Sequence, residues 1–210
     1  VTGIVFADER EARPFLDLSG ASPVSNVPYE LYSVAQPPLM IAVSGMGKVA
    51  AALATQVLIR EQGIHRIVLG GACGALVDDP MYAPGKIFRI SLASEGEPGP
   101  GIPDVSTRCE PTLWTQLPPA TLVTLERPVF DDRRRQELAG YGELVDMEGA
   151  VVARVAAMYH VPCTIIKGIT DFAGDGHRRM LQDNLTKVSS AVARTIWEGL
   201  HQHAPSRFKA

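Results

Sequence analysis

The sequence predicts an α/β protein, a single-domain three-layer α/β/α fold around a mixed, mostly parallel twisted sheet. Three observations predict it. Several segments are apolar along most of their length, as strands covered on both faces are: "TGIVFA" (2–7), "RIVLGG" (66–71) and "PCTIIKGIT" (162–170). These alternate with segments whose apolar residues recur at helical spacing. Glycine-bearing turns follow two of the strands, "SGMGKV" and "GGACGAL". The 210 residues suit one domain, expected over 1–210 with 203–210 as a frayed tail.

The elements follow in order. The strand at 2–7 leads to a short helix at 11–18, closed by Ser19-Gly20. "YELYSVA" (29–35) alternates and, across "QPP", faces "LMIAVSG" (39–45) as an antiparallel hairpin. "KVAAALATQVLIREQG" (48–63) is an amphipathic helix with Gly63 as its stop. The strand at 66–71 runs into "GGACGAL", read as a turn, and "GKIFRISLAS" (85–94) is the next strand. Residues 95–111 are rich in proline and glycine and read as a loop. A strand at 120–126 and a polar helix at 131–142 come next. A short strand at 144–145 precedes the helix at 147–159, then the strand at 162–170 and a last helix from 178 to 202.

Composition narrows the function classes. The net charge is −3 and the pI near 6.0, so neither a nucleic-acid nor an anionic-membrane partner is expected. Arg133-Arg134-Arg135 follows two aspartates and reads as a solvated helix face. Three cysteines, widely spaced and without a CxxC pair, argue for free thiols in a reducing compartment. The opening "VTGIVFADER" is too short an apolar run for a secretion signal, and no run approaches a membrane span, so a cytoplasmic location is expected. The histidines lack ligand spacing, and neither metal nor other cofactor is expected.

In sheets of this class ligands sit at the carboxyl ends of the strands. There this chain places carboxylates and bare backbone: Glu9 and Glu11 after the first strand, "DMEGA" at 146–150 and "TDFAGDG" at 170–176. Carboxylates held at different protonation states suit the cleavage of a glycosidic bond, one protonating the leaving group and another handling water or supporting the cationic transition state. Each residue alone also has a plain structural reading. Glu148 fits as a helix-dipole partner, Asp171 as an Asx-turn residue, Glu11 as a helix-start acid and Met147 as core. Gly45-Met46-Gly47 has the form of a dinucleotide turn but follows the third strand rather than the first.

Taken together, these stretches resemble the nucleoside phosphorylase superfamily, closest to its methylthioadenosine/S-adenosylhomocysteine nucleosidase branch. The resemblance is carried by "GIVFADEREA" (3–12), "VSGMGKVAAALAT" (43–55), "GGACGAL" (70–76) and "VDMEGAVVARVAAMYHVPCTIIKGITDFA" (145–173), with 23 positions from Glu148 to Asp171. It implies a purine nucleoside N-ribohydrolase acting on a 5′-substituted nucleoside such as methylthioadenosine or S-adenosylhomocysteine. Asp171 would protonate N7 of the leaving base and Glu11 would orient or deprotonate the attacking water. Glu148 would accept the ribose hydroxyls and Met147 would pack on the sugar. Ala72, Gly74 and Met46 would line the same site, and Phe130 stands as the candidate for stacking on the base. The resemblance also implies a homodimer whose partner completes the 5′ pocket. Three departures accompany it: Ala72 where the family often has Ser or Thr, Thr170 before the acid where it has Ser, and Leu69 where phosphorylases have a phosphate-binding arginine. The last favours hydrolysis. A phosphorylase of the same fold, a futalosine-type hydrolase and a catalytically inactive nucleoside-binding protein remain as alternatives.

Overall fold

The structure, a computed structural model, describes residues 1–26, 28–96 and 105–202. The expected frayed tail at 203–210 lies outside the described residues, as does 97–104 of the expected loop. Ten strands and five α-helices are described, in the order β1 (Thr2–Phe6), α1 (Glu9–Ser19), β2 (Ser22–Ser25), β3 (Glu30–Val34), β4 (Leu39–Val43), α2 (Lys48–Glu61), β5 (Ile67–Ala75), β6 (Ile87–Glu95), β7 (Ser106–Arg108), β8 (Pro119–Thr124), α3 (Asp132–Leu138), β9 (Leu144–Asp146), α4 (Gly149–Met158), β10 (Cys163–Asp171) and α5 (Arg178–Gln202).

The spine of the sheet is parallel, β4-β1-β5-β10. Its strands are apolar on both faces because helices cover both. Ala12, Phe15 and Leu16 of α1 pack with Val188, Val192 and Ile196 of α5 on one face. Ala51, Ala54 and Leu58 of α2 pack with Val152, Ala153 and Ala156 of α4 on the other. Beyond β4 the sheet continues antiparallel through β3 and β2. Beyond β10 it curls, β10-β6-β8-β9, and β9 returns to the upper end of β5, closing a ring of five strands. The mixed α/β class is as expected. Antiparallel pairings are, however, as frequent as parallel ones among the described strands, because the curl reverses direction at β6 and β9 and the edge strands β2, β3 and β7 also pair antiparallel.

Two local readings need correction. "GGACGAL" is not a turn: β5 runs straight through it to Ala75. Its glycines serve close approach instead. A Cβ at Gly70 would sit 2.6 Å from Ile196 and Phe6 side-chain atoms, and one at Gly74 would sit 2.9 Å from the Ala173 Cβ. Residues 95–111 are not wholly loop either, since Ser106–Arg108 pairs with β6. The arginine run is solvated at Arg133, while Arg135 is largely covered and donates to Asp78 Oδ1 at 2.7 Å.

Candidate active site

Parallel strands point their carboxyl ends the same way, so the tips of β4, β1, β5 and β10 form one shelf. An open cleft runs along it. Glu11, Met46, Ala72, Gly74, Phe130, Met147, Glu148 and Asp171 all line it. Residues from six separate stretches of the chain thus meet in one concavity. Its remaining wall is mainly apolar, with Val129, Val145, Ala173, Leu181 and Leu185.

Glu11 is placed by the start of α1. Asp8 caps that helix, accepting the Arg10 N–H at 2.7 Å. The buried face of α1 is then Glu11, Ala12, Phe15 and Leu16, so the apolar pair at 15 and 16 carries Glu11 inward with it. Its Oε1 accepts the Ala72 N–H at 2.7 Å. A Cβ at Gly71 would meet both Glu11 oxygens and Lys167 Nζ at 3.1–3.2 Å, so any larger residue would press on that carboxylate and that ammonium. Burial pushes the Glu11 carboxyl up, and Lys167 works against the rise.

Glu148 does not cap its helix. It occupies the position before Gly149, but Asp146 Oδ2 takes the Gly149 N–H at 2.8 Å and Thr124 Oγ1 takes the Ala150 N–H at 2.8 Å. Freed from capping, Glu148 accepts the Gly47 N–H at 2.8 Å across the cleft. Gly47 has φ 96°, a left-handed conformation that favours glycine and aims that N–H. Burial, reinforced by Asp146 and opposed by Lys167, pushes the Glu148 carboxyl up to about 7.

Beneath these two acids lies a group that sequence reasoning missed. Lys167 of β10 is fully buried and pairs with Asp146 Oδ2 at 2.8 Å. Burial alone would lower its ammonium, but Asp146, Glu148 and Glu11 surround it and hold it raised. Asp146 also accepts the Thr124 hydroxyl at 2.6 Å. A lysine interrupting the apolar run "CTIIKGIT" was the available signal, since a charge inside a covered strand requires a partner.

Asp171 sits at the other end of the cleft, at the tip of β10. It is 2% exposed, and its Oδ1 accepts the Thr170 hydroxyl at 2.7 Å. Burial pushes its carboxyl up, against the Thr170 bond and the more distant His177. Phe130 lies on the rim with the Arg178 guanidinium 4.9 Å from its ring centre. Phe172 packs against the core instead and meets His177 edge-on. Arg10 reaches the rim but is forked onto Asp8, Nε to Oδ1 at 2.9 Å and Nη2 to Oδ2 at 3.0 Å. Leu69 is fully buried in β5. Among the described residues no group of three or more His, Cys, Asp and Glu is arranged to hold a metal ion. Chemically, the cleft offers a buried acid with one oxygen held by a hydroxyl, and two further acids that each accept a backbone N–H.

Several known proteins are similar to this chain. The aminodeoxyfutalosine nucleosidase of Helicobacter pylori strain J99 is 23% identical over 219 aligned positions, 92% of this chain and 95% of the relative. That of Campylobacter jejuni is 23% identical over 158 positions, 65% of this chain and 69% of the relative. The structure of a futalosine hydrolase mutant from H. pylori strain 26695 superposes with a TM-score of 0.88 at 20% identity, covering 96% of this chain and 98% of the other. A 5′-methylthioadenosine/S-adenosylhomocysteine nucleosidase from Neisseria meningitidis gives 0.84 at 19% identity, covering 96% and 98%. The family profile described as the phosphorylase superfamily matches residues 2–95 and 105–200. With nearly its whole length matched, this chain belongs to the phosphorylase superfamily.

Proposed function

We propose that the protein is a purine nucleoside N-ribohydrolase that cleaves the N-glycosidic bond of a 5′-substituted nucleoside. The observation that carries this reading is the division of labour among the carboxylates. Asp171 stands alone in an apolar wall, whereas Glu11 and Glu148 share a buried lysine. An acid raised by burial holds its proton more firmly than a free carboxyl does and can deliver it to a leaving group. With Oδ1 held by Thr170, Asp171 presents Oδ2 to N7 of the base. The base then departs neutral, and the ribose develops positive charge.

Glu11 holds the attacking water together with its neighbouring backbone and takes its proton as the new bond to the anomeric carbon forms. Glu148 accepts the ribose hydroxyls and, with Glu11, places negative charge beneath the cationic sugar. Met147 packs on the sugar. Ala72, Gly74, Met46 and Phe130 line the space for base and substituent. Lys167 keeps the three acids of the sugar side together in a buried site. Hydrolysis is favoured over phosphorolysis because Leu69 offers no charge to phosphate and Arg10 is already bound to Asp8. The nucleosidase and hydrolase names of the relatives point the same way.

The working unit is a homodimer. Met46, Val49 and Leu53 are exposed at 64%, 69% and 48% and form one stripe, from the cleft rim along α2. Such a stripe beside a cleft is suited to a second copy that closes the 5′ end. The three buried free cysteines favour a reducing, cytoplasmic setting, and 1–210 is read as one domain.

The test is release of free base from methylthioadenosine, S-adenosylhomocysteine, adenosine, inosine and futalosine, with and without inorganic phosphate. Release without phosphate is the expected result. Strict dependence on phosphate would make the protein a phosphorylase, and binding without release under either condition would make it a nucleoside-binding protein.

A further inference from the structure

The Asp171 end of the cleft is built on an irregularity of β10. Its pairing with β5 runs in register from Cys163 opposite Ile67 to Ile169 opposite Cys73, then shifts so that Asp171 faces Gly74. Thr170 is the inserted residue. An insertion of this kind leaves its own backbone out of the ladder and re-aims the side chain beside it. Thr170 is fully buried, so a carbonyl displaced from the ladder needs another donor.

Asn184, in the second turn of α5, supplies that donor: its Nδ2 lies 2.8 Å from the Thr170 carbonyl oxygen. A carbonyl only accepts, so the amide nitrogen is the atom that faces it. The Thr170 hydroxyl meanwhile donates to Asp171 Oδ1 at 2.7 Å. Thr170 is therefore held at its backbone by α5 and holds the acid with its side chain. Leu181 and Leu185, on the same two turns of α5, line the cleft.

We infer that Asn184 is a positioning residue for Asp171: by holding the carbonyl of the inserted Thr170 it fixes the bulge that turns the Asp171 carboxyl into the cleft. This inference rests on the reading of Asp171 as general acid. Without the clamp, the strand can slip toward regular pairing, and a slip of one residue carries a side chain to the opposite face of the sheet.

The test is Asn184→Leu, which keeps similar volume and removes the donor, measured alone and in an Asp171→Asn background. Asn184→Asp, isosteric and acceptor-only when ionised, carries the same test if the leucine variant does not fold. Alone, the substitution lowers kcat by about tenfold or more with KM changed less than about threefold. In the Asp171→Asn background it costs little more, because its effect passes through that carboxyl. Equal losses in both backgrounds, or a change confined to KM, would overturn the inference.

A second readout is independent of turnover: the Asp171 carboxyl titration, followed by carbon NMR. The titratable groups facing it, His177 from the following loop and Cys73 from β5, are left in place. In Asn184→Leu the midpoint moves down toward the ordinary carboxylate range as the acid leaves its buried seat. A midpoint unchanged from wild type would overturn the inference. If no nucleoside is turned over but the midpoint still moves, the nucleosidase reading fails while the positioning role stands.

Discussion

The two ends of the cleft solve the burial of carboxylates in opposite ways. At one end, Glu11, Glu148 and Asp146 gather around Lys167, so several charges are buried as one network. At the other, Asp171 is buried with a single hydroxyl and no cation in contact among the described residues. Burial raises the carboxyl at both ends, but only the first has an internal counter-charge. The difference teaches which residues a stability measurement will find and which a rate measurement will find. A shared charge network is structural as well as chemical, whereas an isolated acid adds little to the fold and can be tuned for proton transfer.

The largest expected effect comes from breaking the network. Lys167→Met should leave three buried acids without their cation and cost about 3–5 kcal/mol. Thermal unfolding should show a fall of roughly 10 °C for a chain of this size. A variant as stable as wild type would mean that the lysine is not the keystone of that end. Asp171→Asn should do the reverse, losing about a thousandfold in kcat with the melting temperature nearly unchanged. A near wild-type rate would remove Asp171 as the acid. Glu148→Gln should be milder, about ten- to a hundredfold in kcat/KM, and should blunt discrimination between ribosides and their 2′- or 3′-deoxy analogues. Equal discrimination by the variant and wild type would separate Glu148 from the sugar.

The smallest effect is on pH dependence. Glu148 titrates near 7 in the fold, above the ordinary carboxylate range. An acid raised by folding contributes stability that is fully present below its unfolded value and is lost as pH rises through the folded one. The ligand-free protein should therefore melt a few degrees lower at pH 8 than at pH 5.5, and Glu148→Gln should flatten that slope. A wild-type slope that persists in the variant would assign it to Glu11 or Asp171, whose carboxyls are raised in the same direction.

Much of this was legible before the fold was known. The acids at 11, 148 and 171 stand out because each follows an apolar run, where a polar residue has no packing role. The glycines of "GGACGAL" were misread, because turn formation and close approach demand the same residue and only the neighbours distinguish them. Lys167 and Asn184 went unassigned for a related reason. Their partners lie 21 and 14 positions away in sequence, on other elements, and no local period announces them.

By itself, then, the sequence determined the alternation of covered strands and helices and the residue types delivered to the strand tips, since period and polarity are local properties. Only the tertiary structure decided which acid shares a cation and which stands alone. Charge environment is set by what packs within a few ångströms, and here that means α1, β9, β10 and the start of α4 brought together by folding.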